Sequence, residues 1–207
     1  MEAIPQETVT IRSRRYLGAK SDIVRRVREI VAAECGEIHS FVDAFAGTGV
    51  VAAEFNAPGV AVLANDLLYC NYICLSAFLC TTKESDVAEA RQWLAWLKTI
   101  APYDPRFYDD YVVSHFGDKY FSLENAARIG TYRQVIATCD CNEQVRHILI
   151  TSLLYAADRV ANTCGHYDAY RDRLDATAPL QLRLPQIDTR TNANNQATCA
   201  DANDLCK

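Results

Sequence analysis

Asp43-Ala44-Phe45-Ala46-Gly47-Thr48-Gly49-Val50-Val51-Ala52 is the stretch that decides the fold. Ahead of its turn, residues 38–42 form a short apolar run with the length of a buried strand, and behind it residues 50–56 begin a helix that Pro58-Gly59 terminates. A second apolar run, Val60-Ala61-Val62-Leu63-Ala64, ends at Asn65-Asp66 and leads into an apolar helical segment over residues 67–80. Strand, helix, strand, helix in this order predicts a parallel α/β sheet. Gly47 to Ala52 also fits the pattern G-x-G-x-x-G/A, with Asp66 17 residues beyond Gly49. Glycines at such a turn let the backbone approach a ligand closely, and an acid after the next strand can accept ribose hydroxyls. The expected ligand therefore contains adenosine.

Asp43 discriminates among such ligands. A dinucleotide presents a pyrophosphate to this turn, and a carboxylate there repels it. S-adenosylmethionine presents an ammonium and a cationic sulfonium, for which an adjacent acid is favourable. A capping Asp ahead of the helix is the other account of the residue.

The pattern Asp-x-Phe-x-Gly-x-Gly resembles the cofactor motif of amino-methyltransferases acting on DNA bases, usually Asp-Pro-Phe-x-Gly-x-Gly, with Ala44 in place of the Pro. Upstream, Arg14-Arg15-Tyr16-Leu17-Gly18-Ala19-Lys20 resembles the N-terminal motif of the Dam-like class of adenine-specific DNA methyltransferases, and Asn65-Asp66 its ribose motif. Asn162-Thr163-Cys164-Gly165-His166-Tyr167 is similar to a turn in the insertion of some members. The resemblance implies a Rossmann-like α/β methyltransferase sheet, incomplete within these residues, with a mostly helical inserted subdomain. It implies S-adenosyl-L-methionine as cofactor, held by Tyr16, Gly18, Lys20, Asp43, Phe45, Gly47, Gly49 and Asp66. Tyr16 would pack on the cofactor and Lys20 would pair with its methionine carboxylate. Asp43 would sit near the amino group, Gly47 and Gly49 would give clearance, and Asp66 would hold the ribose. Taken alone, Lys20 reads equally as a solvated helix-start residue and Tyr16 as an interface aromatic.

The same resemblance implies methylation of the exocyclic amine of adenine in double-stranded DNA, in the cytoplasm, with a cognate restriction enzyme as a further partner where the gene is half of such a pair. The class transfers its methyl group with Asp-Pro-Pro-Tyr on a strand end, after the insertion. No Pro-Pro occurs here. Asp104-Pro105-Arg106-Phe107 is the nearest match, and an Asp-Pro turn is its better account. No catalytic residue is therefore assigned, and the expectation is an N-terminal part of a longer enzyme. A dinucleotide-dependent oxidoreductase and a non-catalytic cofactor- or DNA-binding remnant are the rival readings.

Further out, residues 21–33 carry apolar positions at helical spacing, with Ser21 and Asp22 as start signals. Ser85 is expected to cap a helix to about residue 100, a Tyr- and Phe-rich loop to fill 101–121, and Ser122 and Asn142 to open two further helices, the second stopped near Gly165. Leu180, Leu182 and Leu184 alternate like an edge strand, residues 189–198 read as a polar Asn-rich loop, and Asp201 opens a helical turn or matches a later motif near the adenine. The parts expected are a cofactor-binding region over 1–80, a helical insertion for target recognition over 81–178, and a return to the sheet over 179–207.

Composition limits the alternatives. The chain has 207 residues, half of them hydrophobic and 23% charged, enough for a buried core and too apolar for disorder. Its formal charge of −5 excludes a uniformly basic nucleic-acid binder, yet residues 11–28 hold seven Arg and Lys against Asp22 alone. That stretch is either a polyanion-binding face or a solvated helix face. No apolar run reaches the ~18 residues of a membrane span. The nine cysteines lack metal-ligand spacing, Cys139-Asp140-Cys141 included, and read as reduced structural thiols.

Overall fold

The computed structural model describes residues 8–14, 23–163, 167, 169–171, 178–189 and 194–205. Tyr16, Gly18 and Lys20, the start signals Ser21 and Asp22, and Gly165 lie outside the described residues. The elements run α1 (Val24–Cys35), β1 (Ser40–Asp43), α2 (Val50–Phe55), β2 (Ala61–Asn65), α3 (Tyr69–Leu79), α4 (Glu84–Leu97), α5 (Tyr111–Phe116), α6 (Leu123–Thr138), α7 (Glu143–Val160), β3 (Gln196–Thr198) and α8 (Ala202–Leu205).

The apolar runs around the Gly turn do become strands, and they pair in parallel with Ser40 opposite Ala61 and Asp43 opposite Ala64. β3 adds to the far side of β2, again parallel, with Leu63 opposite Gln196 and Asn65 opposite Thr198. All three carboxyl ends therefore lie on one edge of the sheet, where open parallel α/β sheets bind ligands. The fold is α/β, a small parallel sheet with eight α-helices among the described residues, consistent with a methyltransferase fold.

Two packed regions share α3 and α7. Ala52, Val62, Ala64, Leu75, Leu79 and Tyr155 form the core beneath the sheet. Leu94 and Leu97 of α4, Tyr132, Val135 and Ile136 of α6, and Val145, Ile148 and Leu149 of α7 form a helical core. Each fully buried Leu or Ile there contributes on the order of 1.5–3 kcal/mol of transfer free energy. Ala77 of α3 packs into the helical core and Tyr155 of α7 into the sheet core, so the two helices join the regions. The caps of α6 and α7 follow the sequence: Ser122 Oγ accepts from Asn125 N at 3.3 Å, and Asn142 Oδ1 accepts from Val145 N at 2.9 Å.

Four elements differ from the sequence expectation. α4 starts one residue before Ser85, because Asp86 Oδ2 accepts from Lys83 N at 3.0 Å and supplies the cap. Within the expected loop 101–121, α5 forms despite its β-branched and aromatic residues. Its first turn is set by Asp109 Oδ1 accepting from Tyr111 N at 2.7 Å, and Val112 is buried against the helical core. Gly130 of α6 makes room: a Cβ there would lie 3.0 Å from the Asp109 carbonyl oxygen. Leu180 and Leu182 do not build an edge strand. Both are buried among the helices, and the Asn125 side chain takes the place of a strand partner, accepting from Leu180 N at 2.9 Å and donating to Ala178 O at 3.1 Å. Conversely, the Asn-rich loop contains β3. Asn195 anchors it by accepting from Val62 N at 2.9 Å and donating to Asn56 Oδ1 and Leu79 O.

Candidate cofactor-binding site

The Gly turn leaves β1 at Asp43, whose side chain is buried with the residue 8% exposed. The turn is latched to the end of β2, with Ala46 N donating to Asn65 O at 2.8 Å and Gly49 N to Ala46 O at 2.8 Å. Gly47 and Gly49 adopt φ of 54° and 82°, the left-handed region that favours glycine. A Cβ on Gly49 would also lie 2.6 Å from Leu75 Cδ2 and 2.9 Å from Ile11 Cδ1. That glycine is thus required by packing between α2, α3 and the N-terminal segment.

Asn65 is the hub of the sheet edge. Fully buried, it donates through Nδ2 to Ala44 O and Ala200 O, both at 3.0 Å. Its Oδ1 accepts from Thr198 Oγ1 at 2.8 Å and Ala200 N at 3.1 Å. One side chain satisfies all four of its hydrogen bonds and ties the segments leaving β1 and β3 to the end of β2.

Asp66 stands next to it, half-buried. Its Oδ2 accepts from Gly47 N at 2.8 Å, and its Oδ1 accepts from Leu68 N at 2.9 Å and Asn71 Nδ2 at 3.1 Å. A carboxylate has about four acceptor positions. Three are engaged among the described residues, which leaves Oδ2 able to accept one more donor beside the turn. An apolar rim surrounds these acids: Phe45 is 73% and Leu67 71% exposed, with Leu68 and Tyr69 exposed beside them. Large apolar side chains held in solvent around a polar turn are what a bound aromatic ligand would cover.

The structure thus gathers Asp43, Phe45, Gly47, Gly49 and Asp66 at one sheet edge. It places Asp104 elsewhere, on the loop after α4, where both carboxylate oxygens accept from Arg106 and Asp104 O accepts from Phe107 N and Tyr108 N. The Arg106 guanidinium and backbone N–H hold that carboxyl at about 2. Asp201, near the sheet edge, accepts from Asn203 N at 2.9 Å and starts α8.

A match to the family described as D12 class N6 adenine-specific DNA methyltransferase spans residues 16–207. The chain belongs to this family. Among curated relatives, this D12-class chain is 30% identical over 202 residues to the type II methyltransferase M.NlaIII of Neisseria lactamica, covering 93% of the chain and 60% of the relative. It is 28% identical over 213 residues to M.FokI of Planomicrobium okeanokoites, covering 92% of the chain and 32% of the relative. With the modification methylase StsI of Streptococcus sanguinis it shares 26% over 204 residues, 92% of the chain and 31% of the relative. The chain therefore spans between about a third and 60% of the length of these relatives. No solved structure matches it.

Two further residues of the D12-class chain belong to the site's surroundings. Asn71 is fully buried at the start of α3 and joins Asp66 to Arg14, whose Nη1 donates to Asn71 Oδ1 at 2.9 Å. Arg14 Nε donates to Asp158 Oδ2 at 2.9 Å. Burial opposes the Arg14 charge, but Asp158 outweighs it and the pKa lies above the ordinary arginine value. The sequence signal for Asn71 was its position: with Ser76, it interrupts an otherwise apolar run over residues 67–80. The basic stretch is heavily paired where it is described. Arg12 and Arg28 both contact Glu54, at 2.9 and 3.1 Å, and Arg25 and Arg26 both contact Glu29. Burial pushes the thiol of Cys74 up to about 11 and that of Cys141 to about 12, where neither is a thiolate near neutrality. Among the described residues, no helix is long and apolar enough to cross a membrane, and no three His, Cys, Asp or Glu are grouped to hold a metal ion.

Proposed function

We propose that these residues form the cofactor-binding and target-recognition parts of an S-adenosylmethionine-dependent DNA adenine methyltransferase that modifies the exocyclic amine of adenine in double-stranded DNA. The observation that carries this reading is the pair of acids, Asp43 and Asp66, flanking a positive-φ Gly turn at the carboxyl ends of parallel strands in a D12-class chain. The donor set suits the cofactor: a buried carboxylate for its ammonium, a spare acceptor on Asp66 Oδ2 for a ribose hydroxyl, and an apolar rim for its adenine. When bound, its sulfonium supplies the methyl group. Asp66 orients the ribose while holding the Gly turn through Gly47 N, and Asn65 keeps the edge assembled. From the sequence motif, Tyr16, Gly18 and Lys20 complete the site.

In this reading residues 1–80 bind cofactor, 81–178 are an inserted helical part that reads the DNA target, and 179–207 return to the sheet. The protein works in the cytoplasm, and a cognate restriction enzyme is its partner where the two form a restriction–modification pair. Asp-Pro-Pro-Tyr does not occur among the 207 residues, so the reading assigns them binding roles and no catalytic residue. Titration calorimetry with S-adenosylmethionine and with NAD tests it. Heat with the former only is expected, and heat with NAD only overturns it.

A further inference from the structure

The acid of the cofactor site does not stand alone. From Gly47 N the hydrogen bonds run to Asp66, from Asp66 Oδ1 to Asn71 Nδ2, from Asn71 Oδ1 to Arg14 Nη1, from Arg14 Nε to Asp158 Oδ2, and from Asp158 Oδ1 to the Tyr167 hydroxyl at 3.1 Å. Four side chains, those of Asp66, Asn71, Arg14 and Asp158, thus connect the Gly turn to the end of α7 and to Tyr167. The chain is well shielded: Asn71 is fully buried, and the side chains of Arg14 and Asp158 are each 9% exposed.

Charge fixes its polarity. An amide between a guanidinium and a carboxylate can face only one way, oxygen toward the cation and NH2 toward the anion. Arg14 therefore determines the orientation of the Asn71 amide, and Asn71 supplies one of the three donors that aim the Asp66 carboxylate. Asp158 in turn compensates a cation that would otherwise be buried at high cost.

We propose that Arg14 is a positioning residue for the ribose-binding acid, acting through Asn71 and held in place by Asp158 of α7. The proposal rests on the S-adenosylmethionine reading of the site. Its particular consequence is selective: disturbing Arg14 weakens recognition of the ribose hydroxyls and leaves recognition of the rest of the cofactor intact.

Two ligands separate these contributions, S-adenosylhomocysteine and its 2′,3′-dideoxy analogue, with affinities measured by calorimetry on the wild-type chain, Arg14→Lys and Asn71→Ala. Lys keeps the charge for Asp158 but lacks the fork that reaches both partners, and Asn71→Ala removes the link itself, so either folded variant suffices. The wild type is expected to prefer the ribose-bearing ligand. Each variant is expected to bind that ligand about fivefold more weakly, the worth of one hydrogen bond, with the dideoxy affinity unchanged and the preference correspondingly reduced. A general structural role would instead weaken both ligands together with the melting temperature, and that outcome, or no loss at all, overturns the proposal. A wild type that binds neither ligand overturns the cofactor reading, and the positioning role falls with it.

Discussion

The α3–α7 interface carries two buried polar clusters, one at each end, and they differ in where they lead. At the start of α3, Asn71 meets Arg14 and Asp158, and the bonds run out to Asp66 and the Gly turn. One step down α3, Ser76 pairs with His147 Nδ1 at 2.9 Å and donates to Gln144 Oε1 at 3.3 Å, while Gln144 Nε2 donates to Ser76 O and Thr82 Oγ1. This second cluster leads away from the Gly turn: Thr82 donates to Cys80 O, Tyr72 covers the His147 ring edge-on at 5.6 Å, and His147 Nε2 lies 3.8 Å from the exposed Glu143 carboxylate. Both clusters satisfy their buried groups, as burial demands. Only the first ends at the Gly turn, on Asp66. Two buried polar clusters between the same pair of helices thus differ in what they adjoin, one the Gly turn and the other a solvent-exposed carboxylate.

The largest expected effect separates the two clusters by ligand. Asp66→Ala removes the proposed ribose acceptor and the partner of Gly47 N, and should weaken S-adenosylhomocysteine binding by thirtyfold or more, about 2 kcal/mol. Ser76→Ala should leave that affinity unchanged and lower unfolding free energy by about 1 kcal/mol. Calorimetry and urea melts on the two variants decide this, and a Ser76 variant that binds cofactor as poorly as the Asp66 variant would break the comparison.

Next in size is Gly49→Ala, which forces a Cβ into the left-handed region and against Leu75 and Ile11. A loss of about 2–3 kcal/mol in thermal or denaturant unfolding is expected. A neutral result would mean that α2 can shift away from α3 at little cost.

A smaller effect is the pH response of the Ser76–His147 cluster. Burial lowers the His147 pKa, against a weaker opposing pull from Glu143. The unfolded chain therefore binds a proton that the folded chain resists. The stability tied to neutral His147 is complete above about pH 6.5 and falls as the solution is acidified toward the depressed folded value. His147→Gln should flatten the melting temperature against pH in that window. An unchanged slope would assign the acid response to other groups.

The smallest expected effect concerns α1. Because Glu29 already accompanies Arg25 and Arg26, converting both arginines to Glu should weaken duplex binding by less than about threefold at 0.15 M salt. A larger loss with a flattened salt dependence would put α1 on the phosphate backbone.

The sheet edge was the most legible part of the sequence. Gly47, Gly49 and Asp66 announce themselves because a positive φ and a post-strand acid are local requirements, carried by residue type and spacing. The caps Ser122 and Asn142 were legible for the same reason. What escaped were elements whose residues gain their role from distant partners. α5 is a poor helix by propensity and forms because Val112 packs on the helical core and Gly130 lets it approach. β3 reads as a loop because its three residues carry little apolar signal, the strand being defined by Asn65 and Asn195 from outside. Arg14 stands within a recognisable motif, but its partners Asn71 and Asp158 lie 57 and 144 residues away in sequence.

Those two asparagines have a consequence for how such chains can vary. β3 joins β2 only after the whole run of α3 to α7, and a three-residue strand has little ladder of its own to choose a register. Asn195 on Val62 and Asn65 on Thr198 and Ala200 act as a fixed socket at either end. The closure cost of the intervening chain rises only slowly with its length. The segment between α3 and α7 can therefore be lengthened or shortened while β3 still finds its place beside β2. On the proposed reading, in which the helical part meets the DNA target, that part can change while the frame holding the Gly turn stays as it is.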